Sequence, residues 1–170
     1  VNEIVRFWIV HLWEEMSKEL IVFGGLVAFF LALDNSKRKI LEKPLLYQAN
    51  LLILSATLAT GHHYYWVGTP PLWLWVGGIF SVTQTIAIFI LVYLIYQGFK
   101  GINRNTLNFG TKLALVLILF SLFYHLAGAA LMGLIISIPH LNLYCHGTYI
   151  TSSHAHLAVF GALGMFILAA

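Results

Sequence analysis

The sequence predicts an all-α protein folded as a polytopic transmembrane helix bundle, and three observations carry that reading. Of 170 residues, 60% are hydrophobic and only 9% are charged, against about 25% charged in ordinary soluble domains. The apolar residues fall into long runs, and each complete run meets the ~20 residues needed to cross a ~30 Å hydrocarbon core. The few bases gather in two of the connections between runs. A soluble fold is therefore excluded. The net charge of +3, placed in this way, reports membrane topology and no nucleic-acid partner.

The runs are 4–33, 45–66, 72–98, 112–138 and 150–170. Connection 34–44 holds Lys37, Arg38, Lys39 and Lys43, and connection 99–112 holds Lys100, Arg104 and Lys112, whereas 67–71 and 139–149 hold no Lys or Arg. Positive connections stay cytoplasmic, so the first, third and fifth runs cross inward and the second and fourth outward. Trp66, Trp73 and Trp75 flank the Gly68-Thr69-Pro70-Pro71 turn on the uncharged side, as an interfacial aromatic belt does. No basic leader precedes the first run, and the last stops inside apolar sequence. Residues 1–170 are accordingly expected to form the central part of one transmembrane domain of a longer protein. The single Cys145 has no internal disulfide partner.

Ionisable groups inside a bilayer are functional candidates, and here most fall at one depth. His11 lies 22 residues before Leu33, about 33 Å along a helix at 1.5 Å per residue, near the outer face. His62 and His63 close the second run on that side, and His154 and His156 open the fifth there. Helices that project His and Glu inward at a shared level are how bundles build metal and haem sites.

In the first run, His11-x-x-x-Glu15-x-x-x-Glu19 places an imidazole and two carboxylates on one face, because residues four apart are helix neighbours. Glu15 stacked on Glu19 requires a cation or shared protons. Glu14 has a structural explanation in Lys18, four residues on. In the second run, His62 and His63 diverge by about 100° on a regular helix. They can reach one metal only where the helix ends or distorts, as Gly61 and the nearby turn allow. In the third run, Gln84 is polar near mid-depth. In the fourth, His125 serves either a proton relay or an interhelical hydrogen bond, the latter being the simpler reading. In the fifth, the two histidines of His154-Ala155-His156 leave opposite sides of the rod, so they suit two cofactors and not one metal. The small residues Ala158, Gly161, Ala162 and Gly164 let a flat macrocycle or another helix come close. His140 and His146 read as loop histidines.

The stretches RFWIVHLWEEMSKEL, ATGHHYYWVGTPPLWLWVGGIFS and HGTYITSSHAHLAVFGALGMF resemble three helical regions of the catalytic subunit of bacterial nitric oxide reductase, within the haem-copper oxidase superfamily. The resemblance covers essentially the whole chain and implies a haem-copper oxidase-like bundle, five of whose helices are present. It implies that His11, His62, His63 and Glu15 bind a non-haem iron. It further implies that His154 is the axial ligand of the high-spin haem b3 and His156 one ligand of the low-spin haem b. Glu19 matches a second carboxylate beside the site. Oxidases of the superfamily follow the first histidine with Pro-Glu-Val-Tyr, whereas this chain has Leu12-Trp13-Glu14-Glu15, which favours the reductase. Three departures stand out: Gln84 replaces a usual glutamate, Glu14 and Lys18 replace residues that are usually apolar, and His125 replaces a common asparagine. An amide cannot exchange protons, so Gln84 bears on the proton route.

The function the resemblance implies is reduction of two NO to N2O and water, with electrons from a cytochrome c subunit or a quinol, in the plasma (inner) membrane and with the metal site toward the outer, periplasmic side. Glu15, Glu19 and Gln84 are the residues expected at the chemistry. Three alternatives remain open at this level: a relative with other NO or O2 chemistry, a non-catalytic dihaem electron carrier, and a transporter without iron.

Overall fold

The protein is described by a computed structural model covering residues 2–170, the Asn35 side chain excepted. It is helical nearly throughout, with no strand among the described residues. That follows from the composition, since in lipid each segment must satisfy its own backbone N–H and C=O groups and a helix does so locally. Among the described residues six helices are present where the sequence predicts five: α1 (Asn2–Leu33), α2 (Arg38–Ala59), α3 (Leu72–Phe99) and α4 (Phe109–Ser137), α5 (Pro139–Cys145) and α6 (Tyr149–Ala169). The additional one, α5, lies in the uncharged connection 139–149. Its 7 residues are opened by Pro139, whose fixed φ suits a first helical position, but they are too short to show an apolar period.

By length and composition α1, α3, α4 and α6 can each cross a membrane. The helix of the expected second span, α2, starts at Arg38 instead of 45 and gives way after Ala59 to a tighter turn, Thr60–Tyr64. It carries Glu42, Lys43, Gln48 and Asn50, and it is not apolar enough over its length to count with the other four.

The two basic connections meet at one end of the bundle. Lys37 donates to the carbonyls of Gln97 (3.2 Å), Gly98 and Lys100 (2.7 Å), capping the last turn of α3 with a cation where the helix dipole is negative. Burial there pushes the Lys37 ammonium below its ordinary pKa. Beside it, the Asp34 carboxylate accepts the Ser36 N–H (3.0 Å) and O–H (2.7 Å), which holds its carboxyl below the usual range. The uncharged connections meet at the opposite end. There the Tyr65 hydroxyl donates to the Ser137 carbonyl (2.9 Å), and the Trp66 indole N–H to Asn142 on α5 (2.8 Å). Trp66 takes a left-handed backbone, φ 64°, uncommon for so bulky a residue. The apolar core fills the half near the basic end, with Phe23, Leu26 and Phe30 of α1 packed on Leu41, Leu91, Leu94 and Ile118.

Three stretches inside the long helices are π-helical: Leu12–Ser17 in α1, His125–Met132 in α4 and Leu157–Leu163 in α6. Such stretches are rare and concentrate at functional sites, because the extra residue re-aims side chains. Each begins at or directly after a candidate histidine, namely His11, His125 or His156.

Candidate functional site

At the uncharged end, α1 supplies His11 and Glu15, and the tight turn after α2 supplies His62 and His63. One ligand atom from each of the four lies within 4.8 Å of the other three. Glu15 is the hub: its Oε2 is 2.9 Å from His11 Nε2, and its Oε1 is 3.6 Å from His62 Nε2 and 3.5 Å from His63 Nε2. The departure from regular helix after Ala59 is what lets adjacent histidines converge, their ring centroids 4.3 Å apart. The turn in turn lies directly on α3. A Cβ on Gly77 would stand 2.3 Å from the backbone nitrogen of His62 and 2.4 Å from the carbonyl carbon of Gly61. Only glycine permits that approach.

Hydrogen bonds behind the rings settle their tautomers. Thr60 donates its one hydroxyl proton to the Ala56 carbonyl (3.2 Å), so at 3.0 Å it accepts from His11 Nδ1–H. Ser81 on α3 likewise donates to the Gly77 carbonyl (2.7 Å) and accepts from His62 Nδ1–H at 2.7 Å. Both imidazoles are thereby left with a bare Nε2 lone pair facing the cluster, the form a metal requires. His63 is steadied instead by stacking on Phe7, centroids 5.6 Å apart.

The donor set fits a metal ion on an observation internal to the site. His11 is fully buried, and its Nε2 makes no hydrogen bond despite the nearby carboxylate. An imidazole lone pair facing a carboxylate oxygen in a buried site is unfavourable without a cation or proton between them. Three imidazoles with one hard carboxylate oxygen form a donor set of the kind that takes a first-row transition metal.

The expected stacking of Glu15 on Glu19 is not what occurs. Glu15 is turned to the three imidazoles, while Glu19 reaches across to α4, its Oε1 3.4 Å from His125 Nε2. Glu15 and Glu19 thus part although His11 and Glu15, equally four apart, pair across the π stretch Leu12–Ser17. Glu14 pairs closely with Lys18, as its spacing predicts. Gln84 sits half-buried on α3, one turn beyond Ser81, and makes no side-chain hydrogen bond to the cluster among the described residues.

His154 and His156 face different surroundings, as their spacing requires. His154 turns toward α4 and donates Nδ1–H to the Gly128 carbonyl (2.8 Å), its ring lying against Gly133. His156 is exposed and donates Nδ1–H to the Ser152 carbonyl of its own helix (2.7 Å). Each therefore keeps Nε2 free as an acceptor. Of the small residues on α6, Gly161 receives the Tyr124 ring. His140 and His146 are exposed. Sequence reasoning missed Thr60, Ser81 and Gly128 as orienting groups. Their signal was weak, because Ser and Thr in helices ordinarily bond to their own backbone.

Over residues 1–170 the chain matches the family described as cytochrome c and quinol oxidase polypeptide I. Among curated relatives, a nitric oxide reductase subunit of Stutzerimonas stutzeri is 32% identical over 163 residues, an alignment covering 95% of this chain and 34% of the relative. The chain thus spans about a third of the length of that relative.

Proposed function

The chain belongs to the cytochrome c and quinol oxidase polypeptide I family, the haem-copper oxidase subunit I family of membrane oxidoreductases, and on that premise we propose that it is the central part of a nitric oxide reductase catalytic subunit. The reaction is the joining of two NO into N2O with release of water. The observation that carries this reading is Glu15, a carboxylate set among His11, His62 and His63, where the oxidases of the superfamily have a tyrosine. The relative that aligns with nearly the whole chain carries the same activity in its name.

In this reading His11, His62, His63 and Glu15 hold the non-haem iron, His154 the high-spin haem b3 and His156 one side of the low-spin haem b. When bound, these metals polarise NO and supply the electrons that N–N coupling needs. The chain's own contribution is orientation and protons. Thr60, Ser81 and Gly128 each hold a ring nitrogen so that the other points to the metal. Glu19 holds a proton near the cluster, a task Gln84 cannot share. The exposed His156 would hold the low-spin haem, which would supply electrons received from a cytochrome c subunit or a quinol. The cluster lies at the end opposite the basic connections, which supports a periplasmic-side site in the inner membrane.

The test is Glu15→Ala against Glu14→Ala in the full-length protein. Glu15→Ala is expected to lose non-haem iron and NO consumption with haem retained, and Glu14→Ala to do neither. The reverse ranking overturns the assignment. Gln84 favours one second reading, other NO or O2 chemistry at the same site, which parallel measurement of O2 consumption distinguishes.

A further inference from the structure

His125 of α4 and Glu19 of α1 meet inside the bundle, Nε2 to Oε1 3.4 Å, with His125 1% exposed. His125 Nδ1 lies 3.0 Å from the Ser121 carbonyl. A carbonyl only accepts, so Nδ1 carries a proton and Nε2 of the neutral ring is a bare lone pair. That lone pair faces a carboxylate oxygen, itself an acceptor. Two acceptors face to face in a buried site need a proton between them. The neighbours do not provide it: the Ser121 hydroxyl is spent on the Ala162 carbonyl (2.7 Å), Lys18 is held by Glu14, and Glu15 is held by the three imidazoles. A purely structural tie between α1 and α4 would leave the carboxylate complete. Here the second oxygen, Glu19 Oε2, is buried and has no hydrogen-bond partner.

We propose that His125 Nε2 and Glu19 Oε1 hold one proton in common and that Glu19 releases it during turnover. Glu19 follows Glu15 by four residues on α1, and its side chain turns to His125 on α4. In the step, the proton's bond to Glu19 Oε1 breaks and the proton passes to the substrate oxygen that leaves as water. The electrons are those of the proposed reduction, two per two NO with two protons. The discharged pair is a carboxylate facing an imidazole lone pair, an unfavourable buried state that retakes a proton from water, so two successive discharges supply both protons of the water formed. His125 acts through Glu19 and is a positioning residue. The destination of the proton rests on the function proposed above; the sharing of it rests on the geometry alone.

The experiment uses the purified full-length protein with its metals, compared with Glu19→Gln, His125→Gln and the double variant, haem and iron content confirming assembly. Each single variant is expected to slow NO consumption about tenfold or more. The double variant should be no slower than the slower single one, because the two residues act as one unit. In the hydrogen–deuterium exchange difference infrared spectrum, one exchangeable-proton band should be removed or shifted by both substitutions. Where His125→Gln does not retain its metals, His125→Asn takes its place. Full turnover in the His125 variant, additive slowing, or no band sensitive to both substitutions overturns the proposal. If the unsubstituted protein consumes no NO, the reductase reading fails. The infrared band then decides the shared proton by itself, upheld if both substitutions alter it and overturned if they do not.

Discussion

Thr60 accepts the Nδ1 proton of His11 at 3.0 Å while giving its own to the Ala56 carbonyl, so a hydroxyl buried at the end of α2 dictates which nitrogen of a residue on α1 is free to bind a metal. Ser81 of α3 does the same for His62. The end of α2 and α3 are thereby tied to the cluster through second partners and not only through its ligands.

Removing those partners should loosen the metal without removing a ligand. Thr60→Val and Ser81→Ala are each expected to weaken iron retention about 10–100-fold, read as iron remaining after dialysis against a chelator, with haem absorbance unchanged. Wild-type retention in both variants would mean the rings are oriented by packing alone.

The close crossing of Gly61 and Gly77 sets the position of the histidine pair. Gly77→Ala places a methyl group within 2.3 Å of backbone, and backbone cannot swing aside as a flexible side chain can. The variant should lose about 1–3 kcal/mol of stability and a measurable share of its iron. Gly24→Ala, where a Cβ meets nothing within 4 Å, is the control and should lose neither.

The two histidines of α6 should report separately. His156→Ala is expected to remove the low-spin haem spectrum and spare much of the high-spin one, and His154→Ala to do the converse. Loss of the same signal in both would mean that they serve one cofactor, contrary to their opposed environments.

Connections 34–44 and 99–112 are expected to face the cytoplasm. Single cysteines introduced at Ser36 and at Thr69, in a Cys145→Ser background, should label from opposite sides of the membrane. Labelling from one side would remove the alternation of spans.

Much of the site is legible in one dimension because its chemistry is so improbable in lipid. His11, Glu15, His62 and His63 stand out as groups a bilayer does not tolerate unpaired, and Gly61 with the following turn already announces that the helix carrying two of them cannot continue. The basic and neutral connections likewise sort to opposite ends before any packing is known. What fails is the fate of Glu19. A spacing of four leaves open whether Glu19 turns to Glu15 or to another helix, and its partner His125 is fixed only by how α1 packs against α4.

Composition and charge order dictated the helices, their apolar length and the level at which the ligands gather, since these depend only on each segment's balance with lipid and water. Partner choice across helices depended on the rotation and approach of one rod against another. Contacts between residues many turns apart set those, so His125 opposite Glu19, Ser81 behind His62 and the short helix α5 against Trp66 emerged only once the bundle was assembled.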